Sequence, residues 1–260
     1  MTLAATGPAW RRRARPLLGT LVEVGLCSPR DAAPTSLESA LEPAFDAAFE
    51  AILAVQACLS RFAAASDISR FHALPCGGAM AMRPATRQVL MAAAQLQQAS
   101  GGLFDISLGT APDGWHLDGD VLRKVRAPVR LDLGGIAKGH AVDCAVQALM
   151  AHGCRAGWVN AGGDLRAFGD VSLPVHLRDE ASGGVRPFAT LHEGAFASSH
   201  FGAAARMALF TADARPPSQR QVSVAAPLCL WADALTKVVA LSGNAAAPLL
   251  ARYQAVAWCH

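Results

Sequence analysis

The run LDLGGIAKG at residues 131–139, with Asp143 behind it and NAGGD at 160–164, restricts the folds open to this chain more than any other stretch. A branched segment ends beside an acidic residue, turns through two glycines and opens a helix. With no Cβ at the turn, backbone groups can come close to a phosphate or a metal ion. The helix start adds the positive end of its dipole. The spacing therefore predicts strand, turn and helix, with a nucleotide site at the turn. Neither common phosphate loop fits. A Walker loop places its lysine directly after the last glycine, followed by Ser or Thr, whereas Lys138 precedes Gly139 and His140 follows it. The three-glycine Rossmann spacing also fails. As a bare pattern the turn is equally compatible with a purely structural role.

Composition narrows the classes further. The chain of 260 residues is 52% hydrophobic and 17% charged, which supports a substantial core and argues against disorder. Much of the apolar content is alanine, so helices pack closely while each contact buries modest area. A net charge of +3 is too small to imply nucleic acid, and no aromatic and basic residues interleave as a stacking platform. The one basic cluster, Arg11 to Arg13 with Arg15, reads as a flexible tail over 1–16 or as an anchor to an acidic surface. No stretch reaches the roughly 18 to 20 apolar residues of a membrane span. The first ten residues lack the order of a secretory leader, so a cytoplasmic location is expected. The 7 cysteines form no CxxC pair; they read as buried reduced thiols with no zinc site.

Periodicity predicts a strand at 21–26 and a helix over 35–59 that starts either at a Thr35/Glu38 capping box or at Pro43. A helix at 84–99 should stop at Gly101 and Gly102, followed by a β excursion over 115–130. The signature helix should cover 137–152, with Val142, Val146 and Leu149 in the core. Short strands are expected around Trp158 and Val175 and at 189–191, 207–210 and 222–225, then a helix at 232–241 and a strand at 255–258. That mixed order, without regular βαβ repetition, predicts an α+β fold.

The strings LDLGGIAKGHAVD and WVNAGGDLRAFG closely resemble the paired signature of the FAD:protein FMN transferases, the ApbE family, DLGxIAKGxAxD and VNxGGDxxxxG. Further likenesses fall in the family's order. LLGTLVEV (17–24) is similar to its MGTxxxV opening, and LSRFAAASDISRFH (59–72) to its Ser-aromatic segment. SGGLFDISLG (100–109) resembles GGxFDxxxG, and WADALTKVVALSG (231–243) resembles ADAxxTxxxxxG. The resemblance implies a single ApbE-like domain over 17–260, a mixed β-sheet with packed helices. It implies Mg2+-dependent transfer of FMN from FAD to a Ser or Thr hydroxyl of an acceptor flavoprotein with release of AMP. It assigns FAD contacts to Leu18, Phe62, Leu103, Phe104, Asp105, Asp132 and Lys138, and metal ligation to the Gly135 carbonyl, Asp233 and Thr236, with Asp233 the catalytic residue. Many relatives are exported lipoproteins, so a cytoplasmic chain departs from them.

Two further departures stand out. Lys237 occupies the position of the family's ligand threonine. Either Lys237 turns away while Thr236 supplies the missing oxygen, the favoured arrangement, or its ammonium takes the cation's place. The usual TSGxY and HIxDPxTG elements are replaced by SSHFG (198–202) and LFTADARPPSQRQ (209–221). Asp213 and Pro216 stand as a remnant, and His200 as a candidate for the lost polar role. These departures leave two other readings open: an FAD-binding protein without transferase activity, and an FAD pyrophosphatase giving FMN and AMP.

Overall fold

The structure, a computed structural model, describes residues 9–28, 34–179, 183–201, 217, 221–245 and 247–260. It opens with a hairpin of β1 (Ala9–Leu17) and β2 (Thr20–Ser28). The linking residues Leu18 and Gly19 have φ of 55° and 72°, the left-handed geometry of a tight two-residue hairpin turn. Helices α1 (Pro34–Leu59) and α2 (Asp67–Ala73) follow, then β3 (Ala79–Ala81), α3 (Pro84–Ala99), β4 (Trp115–Asp118) and β5 (Val121–Lys124). The second half contains α4 (Ala137–Ala151), β6 (Gly157–Ala161), β7 (Asp164–Phe168), β8 (Leu173–Arg178), β9 (Val185–Leu191) and β10 (Gly194–His200). It ends with β11 (Gln221–Ala226), α5 (Cys229–Ser242), α6 (Pro248–Arg252) and β12 (Val256–Cys259).

The strands form three antiparallel sheets, the largest ordered β1-β2-β6-β7-β10-β11-β12, the others β3-β5-β4 and β8-β9. Antiparallel sheets with packed helices make the fold α+β, as expected. Period-two alternation sends Val22 and Val24 of β2, Val159 of β6 and Val224 of β11 into one core. There they meet Phe45, Phe49 and Ile52 of α1, Val142, Val146 and Leu149 of α4, and Leu235 and Val239 of α5. A smaller cluster, Trp158, Leu165, Val175, Leu177 and Phe196, joins β8 to the main sheet.

Several expectations are corrected. Residues 9–16 are no tail: β1 pairs with β2 along its whole length. Two of its arginines are taken up by α1, where Arg13 pairs with Glu42 and Arg15 with Asp46 at 2.6 Å, and Arg12 lies over the Trp158 ring of β6. The Arg15 guanidinium also lies 4.5 Å from the centre of the Phe49 ring. Helix α1 runs unbroken from Pro34, so Pro43 lies inside it and does not start it. The excursion at 115–130 yields only β4 and β5. Helix α5 begins at Cys229, ahead of the expected 232. Of the thiols, Cys58 and Cys229 are buried but Cys76 is exposed; none forms a disulfide. Residues 1–8, the strand expected at 207–210, and the side chains of Thr35 and Glu38 lie outside the described residues. Among the described residues no helix is long and apolar enough to cross a membrane.

Candidate functional site

The signature begins as an extended segment, not as the expected strand. Leu131 donates its N–H to His72 Nε2 at 2.8 Å, and Asp132 donates to the Ile106 carbonyl at 2.7 Å. These bonds replace a sheet ladder and tie the segment to α2 and to the 103–109 loop. Asp132 Oδ1 accepts the Gly134 N–H at 2.8 Å, closing the turn, while its other oxygen lies 3.5 Å from Arg61. The Arg61 guanidinium stacks over Phe62, 4.7 Å from the ring centre, and Phe62 is 85% exposed. An aromatic ring this open is available for stacking.

Beyond the turn, α4 and α5 cap one another. Neither has a side-chain cap from its own N-cap residue, Ile136 or Leu228. Instead Asp143 of α4 accepts the first N–H groups of α5, from Cys229 at 3.0 Å and Leu230 at 2.9 Å. Asp233 of α5 in turn accepts the Gly139 N–H, in the first turn of α4, at 3.1 Å. The helices can approach this closely because residue 139 is glycine: a Cβ there would press on the Cys229 carbonyl and lie 2.8 Å from Leu230 Cα. One of the donors read from the sequence as phosphate-facing is thus spent on a carboxylate of the chain itself.

Four charges gather around this crossing. Lys138 pairs with Asp164, the first residue of β7 and the last of NAGGD, and Lys237 pairs with Asp233 one turn earlier on α5. Burial pushes the Asp233 carboxyl upward, but the ammonium groups of Lys237 and Lys138 outweigh it and hold it below its ordinary value. Burial and the neighbouring Asp233 charge raise Asp164, against the pull of Lys138 and Lys237. Desolvation disfavours the charged form of Lys138, yet Asp164 and Asp233 together hold its proton more firmly than in water.

The structure decides how Lys237 is placed, and it is not turned away. Its ammonium donates to Asp233 Oδ1, to the Asp233 carbonyl at 2.9 Å and to Ser199 Oγ of β10 at 3.2 Å. Thr236 Oγ1 donates to the same Asp233 carbonyl at 2.7 Å and lies 3.0 Å from Ser199 Oγ. Gly135 faces the lysine stem, with a notional Cβ 3.4 Å from Lys237 Cε. The carboxylate and carbonyl oxygens of Asp233, the charged ligand expected for Mg2+, face an ammonium instead, and Thr236 Oγ1 is bonded to its own helix and to Ser199, so these residues do not fit a divalent cation. Among the described residues no three His, Cys, Asp or Glu side chains are grouped to hold an ion.

Of the residues expected to contact FAD, Lys138 and Asp132 lie at the two ends of the turn, and Arg61 brings Phe62 beside Asp132. Leu18, in the hairpin turn, donates its N–H to Gln56 of α1 at 2.8 Å. Phe104 is core, and Leu103 packs against it partly buried. Asp105 accepts from Ser107 N and Oγ, both at 2.8 Å, and from Gly109 N at 2.9 Å, so its carboxylate shapes its own loop. Three site residues had not been singled out: Arg61, beside Phe62; Asp164, which closes a motif already quoted; and Ser199, in the divergent SSHFG segment where no signal marks it. His200 ends β10 with Nδ1 buried and without a hydrogen-bond partner among the described residues. Asp213 and Pro216 lie outside the described residues.

Comparison with known proteins gives a consistent family. The sequence profile of the ApbE family matches residues 18–128 and 115–259. A Rhodobacter capsulatus protein named FAD:protein FMN transferase is 30% identical across 46% of this chain, a match spanning 30% of that relative's length. The structure of Pseudomonas stutzeri flavinyl transferase ApbE in its apo form superposes with a TM-score of 0.76 at 21% identity, over 98% of this chain and 93% of the other. The apbe protein of Thermotoga maritima gives 0.77 at 19% identity, over 95% and 91%. At these identities the solved structures establish a shared fold.

Proposed function

The chain belongs to the ApbE family, and on that premise we propose that it transfers FMN from FAD to a Ser or Thr hydroxyl of an acceptor flavoprotein, releasing AMP. Residues 17–260 act as the one transferase domain. The observation that carries this reading is the Lys138–Asp164 pair, which brings the glycine turn of the first signature motif and the last residue of the second to one place. A lysine there, in the first turn of α4, offers a cation to a pyrophosphate, and exposed Phe62 offers a face to a flavin ring.

In the transfer, the acceptor hydroxyl oxygen bonds to the FMN phosphorus and the bond from that phosphorus to the bridging oxygen breaks. AMP leaves with the bridging oxygen, and the hydroxyl proton is released. Lys138 steadies the phosphates. Asp233, fully buried and bonded to Lys237 and Gly139, acts as a positioning residue that fixes the start of α4. The resemblance implies Mg2+, but the residues around Asp233 do not fit it. A reducing compartment such as the cytoplasm suits seven unpaired thiols.

A second reading, FAD binding without transfer, is favoured by one observation, the Lys237–Asp233 pair at the expected metal position. One experiment separates the two. The protein is incubated with FAD and candidate acceptors, and the acceptors are weighed intact. A gain of one FMN less water supports transfer. FAD binding by calorimetry with every acceptor unchanged supports the second reading, and no FAD binding removes both. Binding should favour FAD over riboflavin, and Lys138→Ala should weaken FAD more than riboflavin, because the lysine addresses only the phosphates.

A further inference from the structure

We propose that the Lys237 ammonium is a built-in replacement for a divalent cation, so that this chain holds no metal at Asp233. An ammonium has three N–H donors. Those of Lys237 meet three oxygens, Asp233 Oδ1, the Asp233 carbonyl and Ser199 Oγ. The donor set is saturated, and Asp233 Oδ2, the remaining carboxylate oxygen, is occupied by the Gly139 N–H. No oxygen of Asp233 is left uncommitted.

The wall around the lysine is shaped for it. Gly135 lies against the stem, a notional Cβ there standing 3.4 Å from Lys237 Cε and 3.6 Å from Cγ, in van der Waals contact. Thr236, next to Lys237, does not compete for the ammonium; its hydroxyl bonds to Ser199 and to its own helix, which holds Ser199 in place for the lysine. Lys237 is 2% exposed and Asp233 fully buried, so the pair is part of the interior and not a surface contact.

Charge completes the case. Asp164 and Asp233 are matched by Lys138 and Lys237, and the crossing is neutral as built. A dication would add two uncompensated positive charges beside two ammonium groups, in a region where water cannot screen them. Lys237 either leaves or the ion does not enter, and a side chain with three satisfied donors has no better place to go.

The exclusion of metal does not depend on the flavin-transfer reading; only its consequence does, namely that Lys138, and no metal at Asp233, meets the pyrophosphate. The test titrates Mn2+ into the wild type, with and without FAD, following the ion by electron paramagnetic resonance and calorimetry. The expected result is no site that Asp233→Asn removes, and one Mn2+ per chain gained by Lys237→Thr, which restores an oxygen and opens Asp233. A wild-type Mn2+ site lost in Asp233→Asn overturns the proposal. So does a folded Lys237→Thr that gains none. A wild type that binds no Mn2+ supports the proposal without any substitution, whether or not the variants fold. FAD binding unaffected by EDTA is the matching result for the flavin, whereas failure of FAD to bind under any condition removes the proposed function and leaves the Mn2+ outcome standing.

Discussion

The Asp143 carboxylate accepts the Leu230 N–H at 2.9 Å, 87 residues further along the chain, and so supplies the cap that α5 lacks from its own sequence. The same carboxylate accepts the Cys229 N–H and pairs with Arg166 of β7 at 2.8 Å. Burial raises the Asp143 carboxyl, opposed by those N–H bonds and by Arg166.

Replacing it tests how much the crossing depends on it. Asp143→Ala removes a cap and strands a largely buried guanidinium, so the expected loss is about 3 kcal/mol of unfolding free energy. Urea denaturation measures it. A loss under half a kilocalorie would mean that water replaces the carboxylate at no cost.

Gly139→Ala should be at least as damaging, by roughly 3 kcal/mol or by failure to fold, because the added methyl meets the Cys229 backbone and not a flexible side chain. Thermal unfolding followed by circular dichroism checks this. An unchanged midpoint would show that α4 and α5 can part without penalty.

The Asp233–Lys237 pair should show strong coupling. Asp233→Leu or Lys237→Met alone leaves a buried charge unpaired and should cost about 3 to 5 kcal/mol. The double variant should cost less than the sum of the two by about 2 kcal/mol or more. Additive losses in a double-mutant cycle would show that the two groups do not interact.

Acid should loosen the start of the signature. His72 Nε2 accepts the Leu131 N–H, which requires the neutral ring. Burial, with the positive charges of Arg130, Lys124 and Arg61, lowers its pKa from the ordinary 6.5. The unfolded chain therefore takes up the proton first, so stability falls as pH drops below about 6.5 and levels off below the folded-state value. His72→Gln, whose amide oxygen can accept the same N–H, should flatten the dependence between pH 7 and 5. Equal slopes in urea titrations of the two proteins would exclude His72 as the source.

Elements with a strong local signal were legible. Helix α3 starts at its proline and ends before the paired glycines, and α4 follows its apolar stripe, both close to where the sequence placed them. Strand β1 was hidden because four arginines read as solvent-seeking, and the groups that receive three of them are distant in sequence: acids and rings of α1 for Arg13 and Arg15, and the Trp158 ring of β6 for Arg12. The motif positions were also legible, but several of their contacts were not. Asp143 stood out as part of a nucleotide signature and turns out to hold a helix end; Lys237 was visible as a substitution, but its direction depends on Ser199, on a strand that was not predicted.

Strand β1 has one further consequence. It ends the large sheet, pairing among the described residues only with β2, and so presents a row of backbone donors and acceptors on its other side. A neutral, flexible sequence there would invite the edge of another molecule and seed aggregation. In AWRRRARPL, a second copy would have to lay guanidinium groups against guanidinium groups, and Pro16 removes one donor from the row. The residues that anchor this hairpin to α1 thus also guard this edge of the sheet against strand addition.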